Sequence, residues 1–189
     1  MKSLMIQGTS SGAGKTTLVA ALCRIFSDKG YRVAPFKSQN MSNFGYITPD
    51  FEISRAQAIQ AFGARCNITP DLNPILLKPV GNYSSVVYLN GKRFKKMHAK
   101  EYYEKFVNSE GMKLASKSLK TLQKDFDLVI MEGAGSPAEI NLQKYDIANM
   151  KMAKKANANV LLVTDIDRGG SFASLAGTMA LIEKKYQKL

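Results

Sequence analysis

The sequence predicts an α/β fold: a mostly parallel sheet, doubly wound, with helices on both faces. Three observations carry that prediction. A short apolar run, "SLMIQ" at 3–7, enters a glycine-rich loop and is followed at once by a helix-patterned segment. Two more continuous apolar runs, "DLVIME" at 127–132 and "ANVLLVTDI" at 158–166, read as parallel strands buried on both faces. Strands that alternate with helices imply right-handed crossovers between parallel neighbours.

The elements follow in order. Residues 3–7 form the first strand. In "KTTLVAALCRIFSDKG" (15–30), Leu18, Leu22, Ile25 and Phe26 share one helical face, and Gly30 ends the helix. "YRVAPFK" (31–37) is the second strand, and 38–53 reads as a loop rich in Asn, Ser and Gly. "ISRAQAIQAFGARC" (53–66) is helical, whereas the three prolines of "TPDLNPILLKPVG" (69–81) impose irregularity. "SSVVYLNGKRF" (84–94) has β-branched residues before Asn-Gly, a hairpin signal, and predicts an excursion outside the main sheet. A long helix follows over 99–126, interrupted near Gly111, then the strand at 127–132, a helix at 146–157, the strand at 158–166 and a last helix at 171–186.

The totals narrow the function classes. The chain has 189 residues, enough for one domain with a full core, and its 45% hydrophobic content excludes a disordered chain. No apolar run approaches a membrane span, and 1–7 is too short for a signal peptide, so a soluble cytoplasmic protein is expected, with no membrane partner. Cys23 and Cys66 lack paired spacing; Cys23 falls on an apolar helix face and reads as a structural thiol. The net charge of +12 is spread over clusters at 92–96, 151–155 and 184–188. No aromatic-interleaved basic motif accompanies them, so anionic small molecules are favoured over nucleic acid, and most of these lysines read as solvated surface.

The chemistry begins in "QGTSSGAGKTT" (7–17). The phosphate loop G-x-x-x-x-G-K-[ST] follows a strand and opens a helix, as here. Counted back from Gly14-Lys15-Thr16, its first glycine belongs at position 9, but Thr9 stands there and the glycine is Gly8. Glycines 8, 12 and 14 let backbone N–H groups face phosphate oxygens, and the helix start adds its positive end. The nucleotide-binding stretch is therefore Gly8, Thr9, Ser10, Gly12, Ala13, Gly14, Lys15, Thr16 and Thr17. Within it Lys15 suits the outer phosphates and Thr16 suits Mg²⁺.

Three more groups belong to the carboxyl edge of such a sheet, where ligands gather, and Glu52 lies just before a helix. Glu132 ends an apolar strand beside small residues and suits Mg²⁺. Lys37, just past strand two, can neutralise a transferring phosphoryl group or a substrate carboxylate. Glu52 is either a charge at a helix start or a second metal group. In "TDIDRGG" (164–170), Asp165, Asp167 and Arg168 suit a substrate or nucleotide contact, or an internal Asp–Arg pair. The result is a magnesium–nucleotide site with carboxylates and two lysines, which fits phosphoryl transfer and leaves the acceptor open.

The shifted loop "GTSSGAGKTT" resembles that of the dethiobiotin synthetase-like branch of P-loop proteins. Ser11 stands where the partition-ATPase branch carries a marker lysine. The blocks "VAPFKSQNMSN", "EISRAQAIQA", "NPILLKP", "EGAGSPAEINL" and "DIDRGGSFASLAGT" resemble, in order, those of the cobyric acid synthase family, from near residue 4 to near residue 180, with a looser match over 92–126. That resemblance implies ATP-dependent amidation of the peripheral carboxylates of a corrinoid, adenosylcobyrinic acid a,c-diamide, through acyl phosphates attacked by ammonia. It assigns Lys15 and Thr16 to phosphates and Mg²⁺, Glu52 and Glu132 to the metal, Lys37 to the transferred group, and Asp165 to the nucleotide.

The family also carries a carboxyl-terminal glutaminase domain with a nucleophilic cysteine and a histidine. Neither Cys23 nor Cys66 sits in such a motif, and the family continues past the last helix with another strand. Residues 1–189 therefore read as the synthetase domain alone, cut short at its carboxyl end. A homodimer is compatible with this reading. The alternatives are dethiobiotin synthetase, the a,c-diamide synthase of the same branch, or a switch ATPase.

Overall fold

The computed structural model describes residues 3–189. Its main sheet contains β1 (Ser3–Gly8), β2 (Val33–Phe36), β9 (Leu128–Glu132) and β10 (Asn159–Val163), in the order β10-β1-β9-β2 and wholly parallel. Alternate residues of the central strands face opposite layers. Ile6 and Ile130 pack on Val19 and Cys23 of α1 (Lys15–Asp28), while Met5, Val129 and Met131 enter the larger core with Leu119 and Leu122 of α4 (Met112–Asp125). This is the doubly wound arrangement the apolar runs predict. Cys23 and Cys66 are free, and burial pushes both thiols up, Cys66 to about 11, so neither is a ready nucleophile.

Several expectations are corrected. Residues 38–53 are not a plain loop. They hold β3 (Gln39–Met41) and an antiparallel hairpin of β4 (Gly45–Ile47) and β5 (Glu52–Ser54), followed by α2 (Arg55–Ala64). β3 pairs in parallel with β6 (Ile75–Pro79), which emerges from the proline-rich stretch. No local period announces such pairings, because each strand is only three to five residues long. The Asn-Gly hairpin does form, from β7 (Ser84–Leu89) and β8 (Lys92–His98), with positive φ of 46° and 76° at Asn90 and Gly91. It completes a second sheet, β3-β6-β7-β8, beside the main one.

The helix expected over 99–126 begins as one α-turn, α3 (Ala99–Glu101), runs as a π-helix over Tyr102–Gly111, and becomes α4 only at Met112. The helix expected from 146 starts later, as α5 (Met150–Ala156), because the Asp146 carboxylate accepts from the N–H groups of Ala148, Asn149 and Lys151. The helix expected to run to 186 stops early, as α6 (Ser171–Leu181). Ile182 and Tyr186 turn back to pack on Met150, and Gln187 caps the carbonyls of Met179 and Ile182. β10 is an edge strand and half exposed, not buried, with Leu161 at 45%. Among the described residues no helix is long and apolar enough to cross a membrane.

Candidate functional site

The main sheet delivers its loops to one edge. The turn after β1 carries Gly12 and Gly14 at φ of 77° and 89°, and α1 begins at Lys15. The displaced glycine has a steric cause. A Cβ on Gly8 would stand 2.8 Å from Lys15 Nζ, 3.0 Å from the Ser10 carbonyl and 3.2 Å from Ala13 Cβ. The lysine folds back over position 8, so a side chain there would have to push Lys15 Nζ aside and shift the Ser10 carbonyl by a few tenths of an ångström. Position 9 tolerates a side chain: Thr9 extends the sheet by donating its N–H to the Val163 carbonyl, and its Oγ1 donates to Thr164 Oγ1 at 3.0 Å. Gly8→Ala therefore leaves the fold intact but displaces Lys15 or the loop, at about 1–3 kcal/mol. We expect nucleotide Kd to rise about tenfold or more in an equilibrium titration.

Lys15 is 6% exposed and donates to the carbonyls of Ser10 (2.7 Å) and Gly135 (3.0 Å). Burial and then the neighbouring Lys37 hold its pKa below the ordinary lysine value, while Glu132 pulls it back up. A phosphate placed on Lys15 favours the charged form, so the complex binds more protons than the free protein above the free-state pKa. Nucleotide affinity is therefore full below that lowered value and falls as pH rises through it. The check is a set of binding titrations from neutral to alkaline pH; a Lys15→Met control loses this component.

Glu132, at the end of β9, is 1% exposed and surrounded by donors. Its Oε1 accepts from Lys37 Nζ at 2.6 Å and from Thr16 Oγ1 at 2.8 Å. Its Oε2 accepts from Gln60 at 2.6 Å and Gln57 at 3.3 Å. A carboxylate offers about four acceptor directions, and all are used. The two oxygens differ in outlook. The buried amides of α2 hold Oε2, while Oε1 faces the phosphate loop with Thr16 and Lys37. Asn40 steadies the amides by donating to Gln57 Oε1 at 3.0 Å and to Ser54 Oγ at 2.7 Å.

Lys37 is equally well placed. Its N–H donates to the Leu72 carbonyl, and its own carbonyl accepts from Asn73 Nδ2 at 3.0 Å. Asn149 holds the segment after Glu132 in the same way, pairing with both the N–H and the C=O of Ala134. Gln57, Gln60, Asn73 and Asn149 were not singled out from sequence. The only signal for the glutamines was their spacing of three on an alanine-rich helical face.

The predicted residues divide into those gathered and those not. Gly12, Gly14, Lys15, Thr16, Thr17, Lys37 and Glu132 line one cavity of about 400 Å³, with Gln39, Asn40, Met41, Ala134 and Gly135. Gly8 and Ser10 support Lys15 from below, and Ala13 packs beneath the same loop. Glu52 lies elsewhere: its carboxylate pairs with Lys78 of β6. Asp165 sits past β10, accepts from the Asp167 N–H at 2.9 Å and pairs with Arg168 at 3.1 Å. Arg168 reaches over the phosphate loop, its Nη2 3.6 Å from where a Cβ on Gly12 would lie.

Magnesium is the metal these donors suit. Thr16 Oγ1 and Glu132 Oε1 are hard oxygens held 2.8 Å apart, and Mg²⁺ is commonly bound by one or two protein oxygens plus phosphate and water.

Among solved structures, the signal recognition particle receptor FtsY from Elizabethkingia anophelis superposes with a TM-score of 0.52 at 19% identity, covering 96% of this chain and 47% of that one. The signal recognition particle 54 kDa protein from Aeropyrum pernix K1, in complex with GDP, gives 0.51 at 15%, covering 94% and 33%. At such identities the likeness shows the fold alone. "Probable cobyric acid synthase" of Thermococcus kodakarensis is 53% identical over 189 residues, all of this chain and 39% of the relative. "Cobyric acid synthase" of Clostridium botulinum is 53% identical over 185 residues, 97% of this chain and 37% of the relative. The chain thus spans under two fifths of the length of these relatives. The family described as "CobQ/CobB/MinD/ParA nucleotide binding domain" matches residues 4–187. The mostly parallel sheet, the glycine loop and that match together make this chain a member of the CobQ/CobB/MinD/ParA family of P-loop nucleotide-binding domains.

Proposed function

We propose that the chain is the synthetase domain of a cobyric acid synthase. In this reading it uses ATP and Mg²⁺ to activate peripheral carboxylates of adenosylcobyrinic acid a,c-diamide for amidation. The observation that carries the reading is the buried Lys37–Glu132 pair, 2.6 Å apart, set against Lys15 and Thr16 at one cavity. The relatives named cobyric acid synthase support a corrinoid acid as the acceptor.

A carboxylate is a poor electrophile because oxide is a poor leaving group. Transfer of the γ-phosphoryl group to its oxygen breaks the bond to ADP and makes an acyl phosphate. Ammonia then attacks the acyl carbon, loses a proton and expels phosphate, leaving the amide. Charge builds on the phosphoryl oxygens during the first transfer. Lys15 donates to the outer phosphates, and Lys37 lies on the acceptor side, where it neutralises the incoming carboxylate. Thr16 and Glu132 would hold Mg²⁺, which would supply charge dispersal at the phosphates. Gln57 and Gln60 keep Glu132 turned toward it. Asp165 and Arg168 serve the nucleotide on the β10 side. Glu52 shapes the acceptor side through Lys78, and its assignment to the metal would require that pair to open. Ammonia comes from a glutaminase domain in the further length that the relatives possess.

The test supplies ATP, Mg²⁺, ammonium and the corrinoid acid, and follows ADP release together with the mass of the corrinoid. ADP release that depends on corrinoid, with product lighter by about one mass unit per amide, is the expected result. ATP turnover indifferent to corrinoid and stimulated by DNA or lipid vesicles would overturn the reading in favour of a switch ATPase.

A further inference from the structure

The phosphate cavity does not end at Lys37. Its wall residues Gln39, Met41, Ala134 and Gly135 also line a second cavity, of about 290 Å³, which continues to Tyr103, Leu142 and Tyr145. Met41 and Tyr103 in turn line a third, of about 280 Å³, against β6–β8 with Tyr83 at its edge. The three share walls and form one trough, with the Lys15 and Lys37 ammonium groups at one end, Met41, Tyr103 and Tyr145 along its length, and Glu139, Asp146, Lys151 and Glu183 on the rim of the second cavity.

The aromatic wall is built to hold its shape. Tyr103 and Tyr145 stack at 5.9 Å and 41°, and Tyr103 meets Tyr102 edge-on at 5.2 Å. Tyr102 is buried, and its hydroxyl donates to Gln39 Oε1 at 2.8 Å, tying the π-helix to β3. Tyr102 and Tyr103 of that π-helix both line the third cavity, and Tyr103 alone of the two reaches the second. Met41 stays 53% exposed although it is a large apolar side chain in a strand.

Strand order separates the two substrates. The phosphate loop follows β1, with β10 on one side and β9 then β2 on the other. Arg168, paired with Asp165, reaches over the loop from the β10 side. Lys37 and the trough lie on the β2 side. A nucleoside leaving over β10 does not compete for the trough.

We propose that this trough is the acceptor subsite. It takes an acid with a broad apolar body: one carboxylate lies at Lys37, and the framework rests on Met41, Tyr103, Leu142 and Tyr145. The proposal rests on the carboxylate-activating reading above and adds where the acceptor binds.

Two variants test it, with adenosylcobyrinic acid a,c-diamide as the probe. Leu142→Glu puts a negative charge in the middle of the trough, and Tyr83→Glu puts one at its far edge. Tyr83 is 85% exposed, so folding is not at stake there. Equilibrium dialysis gives corrinoid Kd, and a parallel titration gives ATP Kd. A corrinoid Kd at least tenfold weaker in Leu142→Glu, weaker to a lesser degree in Tyr83→Glu, with ATP Kd within twofold, is the expected result. Wild-type corrinoid affinity in both variants overturns the subsite and leaves the proposed reaction standing. A wild-type protein that binds ATP but not the corrinoid overturns both.

Discussion

Lys15→Ala lowers ATP turnover by about 10³-fold while the melting temperature stays within about 3 °C of wild type. The two effects separate for a physical reason. In the folded protein the Lys15 ammonium is nearly desolvated and sits beside a second ammonium, Lys37, so its charge is held at a cost to folding. Its hydrogen bonds to the Ser10 and Gly135 carbonyls offset part of that cost. Alanine removes the cost and the compensation together. In the proposed reaction the cation finds a full counter-charge only when phosphates arrive, and that interaction strengthens as the γ-phosphoryl group is transferred. Steady-state turnover and a thermal melt on the same preparation check the claim. A loss of turnover that merely followed a collapse in melting temperature would show that Lys15 is a structural group.

Glu132→Ala behaves in the opposite way. It destabilises the protein by about 3–5 kcal/mol, because Lys37 is left as a buried cation without its partner. At this chain length that corresponds to a fall of about 6–20 °C in melting temperature. The Gln57 and Gln60 amides lose their acceptor at the same time. In the proposed reaction turnover falls too, since Thr16 would keep no carboxylate with which to share a metal. The double variant Glu132→Ala/Lys37→Met separates the causes: it recovers most of the stability, since Lys37 no longer stands as a buried cation without its partner, and recovers no activity. If the single variant melted with wild type, the Lys37–Glu132 pair would be open in solution and the site's geometry would need revision.

The legible part of the site was the part made of neighbours in sequence. Strand, glycine loop and Gly-Lys-Thr lie within fifteen residues, so their spacing alone implied the phosphate cradle. Even the shifted glycine was readable as a departure, although its cause, the lysine packed over Gly8, was not. Glu132 was legible because an apolar strand ends on it. Glu52 shows the limit. Its position before a helix suited either a metal or a helix end, and Lys78, on a strand hidden among prolines, claimed it instead.

The sequence by itself determined the layered α/β plan, the phosphate loop, and the identity of Lys15, Thr16, Lys37 and Glu132 as edge residues. Those follow from local periodicity and from the rule that parallel strands bring their carboxyl ends to one edge. Only the tertiary structure decided that Lys37 and Glu132, 95 residues apart, share one buried ion pair, and that Gln57 and Gln60 turn the carboxylate toward Thr16. It alone set a second sheet beside the main one and so made a trough. The reason is the same in each case: a buried polar group must find a partner wherever the fold supplies one, and partners brought together by crossovers leave no period in the sequence.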